Sequence, residues 1–151
     1  MDSFPVKFQK EMSLLGFDFG TKRIGSAVGQ TLSGTASALH AIAAKDGIPD
    51  WDALDALVAQ WQPNAFVVGL PYNMDDSKSE LFLRARKFGN RLNGRYCKPC
   101  FGMDERLSSF EARGLIMRKE SDAQLDCLAA QLILESWLAA YKEHFKHSQA
   151  D

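Results

Sequence analysis

The chain has 151 residues, 46% of them hydrophobic and 25% charged, with a formal net charge of −1. That length suits one ordinary domain, residues 1–151, with a sizeable core, and leaves no room for a second domain closing over a cleft. The composition excludes a disordered or membrane-embedded chain, and the near-neutral balance supplies no global field for nucleic acid, so a polyanion must be held by a local patch.

The opening residues, Met1-Asp2-Ser3-Phe4-Pro5-Val6-Lys7, lack a basic segment followed by an unbroken apolar stretch, and no apolar run is long enough to span a bilayer. A cytoplasmic protein without a membrane partner is expected. Three cysteines, an odd number, fit a reducing compartment better than a closed disulfide framework.

Residues 12–19 form a short apolar segment that predicts a buried central strand. Residues 24–29 and 36–42 follow glycine-containing turns, Gly20-Thr21 and Ser33-Gly34, and read as antiparallel neighbours of that strand. Pro49-Asp50 starts a helix in which Leu54, Leu57, Val58 and Trp61 fall at helical spacing before Pro63 stops it. Residues 65–70 make a compact apolar strand ended by Pro71. A second helix is predicted over residues 77–92, burying Leu81, Ala85, Phe88 and Leu92 and exposing Arg84, Lys87 and Arg91, with Arg95 just beyond. A last strand covers residues 96–103, a helix starts near Ser108 or Ser109, and a final helix runs from about Asp122 past Trp137. The order β-β-β-α-β-α-β-α-α predicts an α/β fold, a mixed five-stranded sheet flanked by helices, with a core over residues 12–142 and flexible termini.

Within this frame, Cys97-Lys98-Pro99-Cys100 matches the spacing of redox and zinc motifs. It precedes Phe101 in a predicted strand rather than opening a helix, and further zinc ligands are scattered, so it reads as structural.

The acidic residues are more informative. Asp18 sits between Phe17 and Phe19 in the first strand, where a carboxylate stays charged only with a partner such as a cation. Asp104 and Glu105 end the last strand, and Asp126 shares a helical stripe with Ala129, Ala130, Ile133 and Trp137. Strand ends and a helix start converging on one edge would bring these carboxylates together, and their repulsion is relieved by one or two hard cations, Mg²⁺ or Mn²⁺ rather than zinc. Such ions suit phosphodiester hydrolysis. Each position also has an ordinary explanation: a turn residue at Asp18, a cap at Asp104-Glu105, a dipole partner at Asp126.

Taken in order, Phe17-Asp18-Phe19-Gly20-Thr21-Lys22-Arg23-Ile24-Gly25, Val67-Val68-Gly69-Leu70-Pro71, Asp104-Glu105-Arg106-Leu107-Ser108 and Asp126-Cys127-Leu128-Ala129-Ala130 resemble the motifs of the bacterial YqgF family, also called RuvX. The resemblance implies an RNase H-like fold and a nuclease that matures the 5′ end of pre-16S ribosomal RNA in ribosome biogenesis; a Holliday junction resolvase role is the alternative. It implies Asp18, Glu105 and Asp126 as catalytic, metal-binding carboxylates, with Asp104 a rival to Glu105. In-line attack by water would leave a 3′-hydroxyl and a 5′-phosphate. Thr21, Lys22, Arg23 and Arg106 beside these positions, Asn73 after Leu70-Pro71, and the stripe of Arg84, Lys87, Arg91 and Arg95 are the candidate substrate contacts. Expected partners are pre-rRNA or branched DNA and ribosomal particles, with the protein a monomer or homodimer. One departure is that residues 113–126 are shorter than in many relatives, which reduces any loop closing over substrate.

Two readings from other classes compete. A non-catalytic module binding RNA, the ribosome or the transcription machinery predicts dispensable carboxylates. Asp-x-Gly-Thr is also a phosphate-loop signature of the actin, sugar-kinase and Hsp70 ATPases, which need a second similar domain that this length does not allow.

Overall fold

The computed structural model of the chain describes residues 1–107 and 121–146. In chain order it forms β1 (Ser13–Asp18), β2 (Arg23–Gln30), β3 (Thr35–Ala38), β4 (Ile42–Lys45), β5 (Ile48–Pro49), α1 (Trp51–Trp61), β6 (Ala65–Leu70), α2 (Glu80–Tyr96), β7 (Cys100–Asp104), a single 3-10 turn (Glu105–Leu107) and α3 (Asp122–His144). The helix expected from Ser108 or Ser109 lies outside the described residues.

The sheet runs β5-β4-β2-β1-β6-β7, with β3 also on β2. β1 pairs antiparallel with β2 and parallel with β6, which pairs parallel with β7. Every residue of β6 is buried, as a parallel strand covered on both faces requires. Leu54, Leu57 and Val58 of α1 join Phe82, Ala85, Phe88 and Leu92 of α2 over Leu15, Phe17, Phe66 and Val68 on one face. On the other, Ala130, Ile133, Leu134 and Trp137 of α3 pack over Leu14, Ala65, Val67, Phe101 and Met103. No described helix is long and apolar enough to cross a membrane.

Seven strands form among the described residues where five were expected, for two local reasons. The third expected strand breaks between Ala38 and Ile42. These residues pair with Ala27 and Ile24, so three steps along β2 face four on the other side, and one extra residue bulges out. Fully buried Ser26 fills the break, its hydroxyl donating to the His40 carbonyl and accepting from the His40 N–H. Asp46 and Gly47, at φ 50° and 81°, then form a two-residue hairpin that adds β5.

α1 begins where Asp50 accepts from the Asp52 and Ala53 N–H groups. α2 begins at Glu80, capped by Ser79, rather than at residue 77. Leu81 and Phe82 both fit a stripe with Ala85, Phe88 and Leu92; the larger ring takes the buried place, 4.5 Å from Tyr72, and Leu81 is exposed. Residues 96–99 leave the expected last strand: Tyr96 ends α2 and Cys97 caps it at φ 55°. Cys100 opens β7, where burial pushes its thiol up to about 12, which suits a structural role for that cysteine.

The stretch before β1, expected to be flexible, is packed. Phe4 stacks on His144, and Phe8 stacks on Tyr141. Trp137 donates to the Ser3 carbonyl at 2.7 Å, and the Gly102 N–H donates to the Asp2 carbonyl at 3.0 Å.

Gly94 lies inside α2 with open space where a side chain would be. Gly94→Ala is expected to raise stability by about 0.5–1 kcal/mol through reduced unfolded-chain entropy, read as a higher urea midpoint at unchanged slope.

Candidate active site

Strand alternation decides which carboxylates meet. Leu14 packs with the α3 core, and a Cβ on Gly16 would lie 2.9 Å from Leu134 Cβ, so the even residues of β1 face α3. Asp18 follows on that face at the C-terminal end of the strand, half-buried. Its partner across β2 is Gly25. A Cβ on Gly25 would lie 2.1 Å from the Asp126 carbonyl oxygen and 2.7 Å from the Cys127 nitrogen. The first turns of α3 therefore rest on bare backbone beside Asp18. Burial pushes the Cys127 thiol up against an opposing Ser26 backbone hydrogen bond, and the charges of Asp126 and Asp18 push it further.

α3 is fixed there by a capping box: Ser121 Oγ accepts from the Gln124 N–H, and Gln124 Oε1 accepts from the Ser121 N–H. Ala129, Ala130, Ile133 and Trp137 are buried as their stripe with Asp126 predicts. Asp126 itself accepts from Arg23 Nε at 3.0 Å, and Arg23 also reaches Asp122 at 3.9 Å.

β7 separates Asp104 from Glu105. Phe101 and Met103 face α3, whereas a Cβ on Gly102 would meet Leu70 Cδ1 at 2.5 Å on the α2 side. Asp104 shares the face of Gly102. Glu105, in the turn that follows, returns to the α3 side. A Cβ on Gly69 would lie 2.7 Å from Glu105 Oε1 and 2.6 Å from Ile133 Cδ1. Thus Asp18, Glu105 and Asp126 stand on one face at one end of the sheet, over the glycine floor of Gly25 and Gly69. As their side chains are placed, no three acidic, histidine or cysteine groups among the described residues form a ready cation cage.

Asp104 is engaged elsewhere. It takes Arg106 Nη2 at 2.7 Å and Nε at 3.0 Å, and that guanidinium holds its carboxyl below the usual carboxylate range. Arg106 also donates to Asp76 at 2.7 Å and to the Asn73 carbonyl at 3.0 Å, lying over the Tyr72 ring. Asn73 donates its amide to Ser77 Oγ at 2.9 Å. Arg106 and Asn73 therefore pin the loop after β6 rather than sit among the three carboxylates.

The remaining expected contacts divide by face. Thr21 and exposed Lys22 form the β1–β2 turn, where their carbonyls accept from the Gly47 and Ala44 N–H groups. Arg84, Lys87 and Arg91 lie on α2, across the sheet from Asp126. Arg84 is held by Asp46 at 3.1 Å. Arg95 leaves the stripe, donating twice to Asp55, at 2.9 and 2.7 Å, and stacking over Trp51. Arg95, with the Tyr96 hydroxyl, holds the Asp55 carboxyl down at about 2.

The sequence reading missed the glycine floor and the Arg23–Asp126 pair. Isolated glycines within strands signal close backbone approach, and that signal is present at Gly25 and Gly69. Nothing in sequence spacing joins Arg23 to Asp126.

Comparison with known proteins adds identity to this geometry. Residues 12–140 match the model of the RuvX family, described as a Holliday junction resolvase. A relative from Aeromonas hydrophila, bearing the provisional name of a pre-16S rRNA nuclease, is 51% identical over 131 residues, 83% of this chain and 94% of its own. One from Pseudomonas aeruginosa PAO1 with the same name is 49% identical over 135 residues, 86% and 94% of the two chains. Among solved structures, Thermus thermophilus RuvC aligns at a TM-score of 0.52 and 14% identity, over 89% of this chain and 97% of its own. The yeast mitochondrial Holliday junction resolvase aligns at 0.51 and 9% identity, over 91% and 81%. These likenesses show the RNase H-like fold that the motifs imply. By sequence, the chain belongs to the RuvX family.

Proposed function

We propose that this protein is a metal-dependent nuclease that hydrolyses phosphodiester bonds in the 5′-end maturation of pre-16S rRNA, acting in the bacterial cytoplasm on RNA free or in ribosomal particles. The observation that carries the proposal is the placing of Asp18, Glu105 and Asp126 on one face at the end of the sheet, with Asp104 turned to the other. The names of relatives about half identical to it support the choice of substrate.

The donor set fits a hard cation. It offers only carboxylate oxygens; bare Gly69 leaves room for the Glu105 side chain, and bare Gly25 lets the α3 backbone at Asp126 come close to β2. Asp18, Glu105 and Asp126 would hold Mg²⁺ or Mn²⁺, which supplies charge stabilisation and water activation when bound. Arg23 aligns Asp126 from the side and, with Lys22 on the neighbouring turn, offers cationic donors to the phosphate oxygens of the substrate. Asn73 and Arg106 act by fixing the loop at the rim. Resolution of a four-way DNA junction is the second reading, favoured by the description of the family model.

The test is cleavage of a pre-16S 5′ leader by wild-type and Asp126→Asn protein in Mg²⁺, Mn²⁺ or EDTA, alongside a four-way junction. Cation-dependent RNA cleavage, lost in the variant, is expected. Cutting of the junction alone would move the assignment to the second reading, and binding without cutting in any metal would remove the catalytic one.

A further inference from the structure

On the α2 face, at the same end of β1, a recess of about 230 Å³ opens between α2 and the Asp46–Gly47 hairpin. Its floor is Phe19 and Phe88, with ring centres 5.5 Å apart, and its wall is Arg84, Lys87 and Arg91. Three separate segments are locked together to make it. The hairpin tip is tied to the β1–β2 turn by the Gly47 N–H to Thr21 carbonyl bond of 2.9 Å. Gly47, at φ 81°, lets the tip lie close: a Cβ there would be 2.9 Å from Arg84 Nη2 and 3.2 Å from Phe19 Cζ.

The charges do not cancel. Asp46 is matched by Arg84, whereas among the described residues neither Lys87 nor Arg91 is within ion-pair distance of a carboxylate. Ile48, 55% exposed, adds an apolar surface at the mouth. Paired cations beside a small apolar surface suit one nucleotide unit, a phosphate with its base.

Position links the recess to the carboxylates. Phe19 follows Asp18 directly, yet Phe19 packs with the α2 core while Asp18 stands on the α3 face. Only the β1–β2 turn, carrying exposed Lys22, separates the two sites. A chain that touches both must fold over this rim. Duplex nucleic acid, with a persistence length of about 150 bp for DNA, cannot bend around a single turn, whereas a single strand can.

We propose that the recess is a nucleotide site for a single-stranded segment flanking the cut, with the strand passing from the carboxylates over Lys22 to Lys87 and Arg91. The proposal rests on the carboxylate reading for its direction. It selects an unpaired strand, rather than a continuous duplex arm, as the substrate element gripped beside the scissile bond.

The test is fluorescence anisotropy in EDTA with a labelled oligouridylate of about ten nucleotides and with a fully paired RNA duplex of equal length. The proteins compared are wild type, the double variant Lys87→Ala with Arg91→Ala, and a charge-matched control, Lys7→Ala with Lys10→Ala, at the opposite end of β1. Wild type is expected to prefer the single strand. The recess variant should bind it about tenfold or more weakly, with a salt slope smaller by about 1.4, at about 0.7 per phosphate contact. The control should match wild type.

Equal losses in both variants, an unchanged slope in the recess variant, or duplex bound as tightly as single strand would each overturn the proposal. Circular dichroism of the recess variant must match wild type, and Lys87→Gln with Arg91→Gln repeats the test if it does not. Because no cut is needed, a failed cleavage assay would remove the carboxylate reading without deciding this measurement.

Discussion

Glu105→Gln is expected to lower cation-dependent cleavage by about 10³-fold, whereas Asp104→Asn, one residue earlier, leaves most of it. The first figure corresponds to about 4 kcal/mol of lost charge stabilisation, the several kcal/mol that a properly held ion supplies. The contrast arises because Glu105 lies beside Gly69 on the α3 side, while Asp104 is bound to Arg106 on the other. Asp104→Asn acts instead on the loop that Arg106 pins. Its carboxyl is held below the usual range in the folded state, so its stabilising effect is complete above its ordinary value of about 4 and is lost as pH falls through the depressed value. The Asn variant should therefore melt lower than wild type at pH 7, with the gap closing in strong acid. Single-turnover cleavage and thermal melts across pH measure the two effects, and equal loss of cleavage in both variants would refute the division of roles.

Gly25→Ala is expected to cost about 3 kcal/mol of stability, the upper end of ordinary overpacking, and to remove cleavage as well. The added methyl would meet backbone: the Asp126 carbonyl carbon at 2.2 Å and its oxygen at 2.1 Å. Neither atom can rotate away, so α3 must lift from the sheet and take Asp126 with it. Gly69→Ala is a sharper probe of chemistry. Its methyl meets the ends of Ile133 and Glu105, which can turn aside, so the fold survives at about 1 kcal/mol while Glu105 is displaced. Urea unfolding together with cleavage separates the cases. A Gly25→Ala protein as stable as wild type would show that α3 does not rest on β2 as described.

Legibility followed the range of each interaction. The β6 strand is found at residues 65–70 as its unbroken apolar run predicts, and α1 stops at Trp61 before Pro63. These elements are set by neighbours in the chain. The carboxylate set was legible as residue types, but the choice between Asp104 and Glu105 depended on the parity of β7, fixed by pairing Gly69 with Met103 and Leu70 with Asp104. One local signal and one contact between strands went unread. Asp46-Gly47 is a hairpin dipeptide that announces β5, and the break at residues 39–41 is stabilised by Ser26 from another strand, which spacing does not disclose. Arg106 and Arg95 read as candidate phosphate binders because a basic residue shows its charge in sequence but not its partner; Asp104, Asp76 and Asp55 had to be located in space.

The packed segment ahead of β1 also bears on solubility. Among the described residues β7 is the outermost strand on its side of the sheet, and an uncovered outer strand is a template for pairing with another molecule. Here the Asp2 carbonyl takes the Gly102 N–H, and the Met1 side chain lies against Gly89 and Gly102. These first residues guard the sheet against edge-to-edge self-association, so their removal would turn a nuclease fold into one prone to aggregate, with its carboxylates untouched.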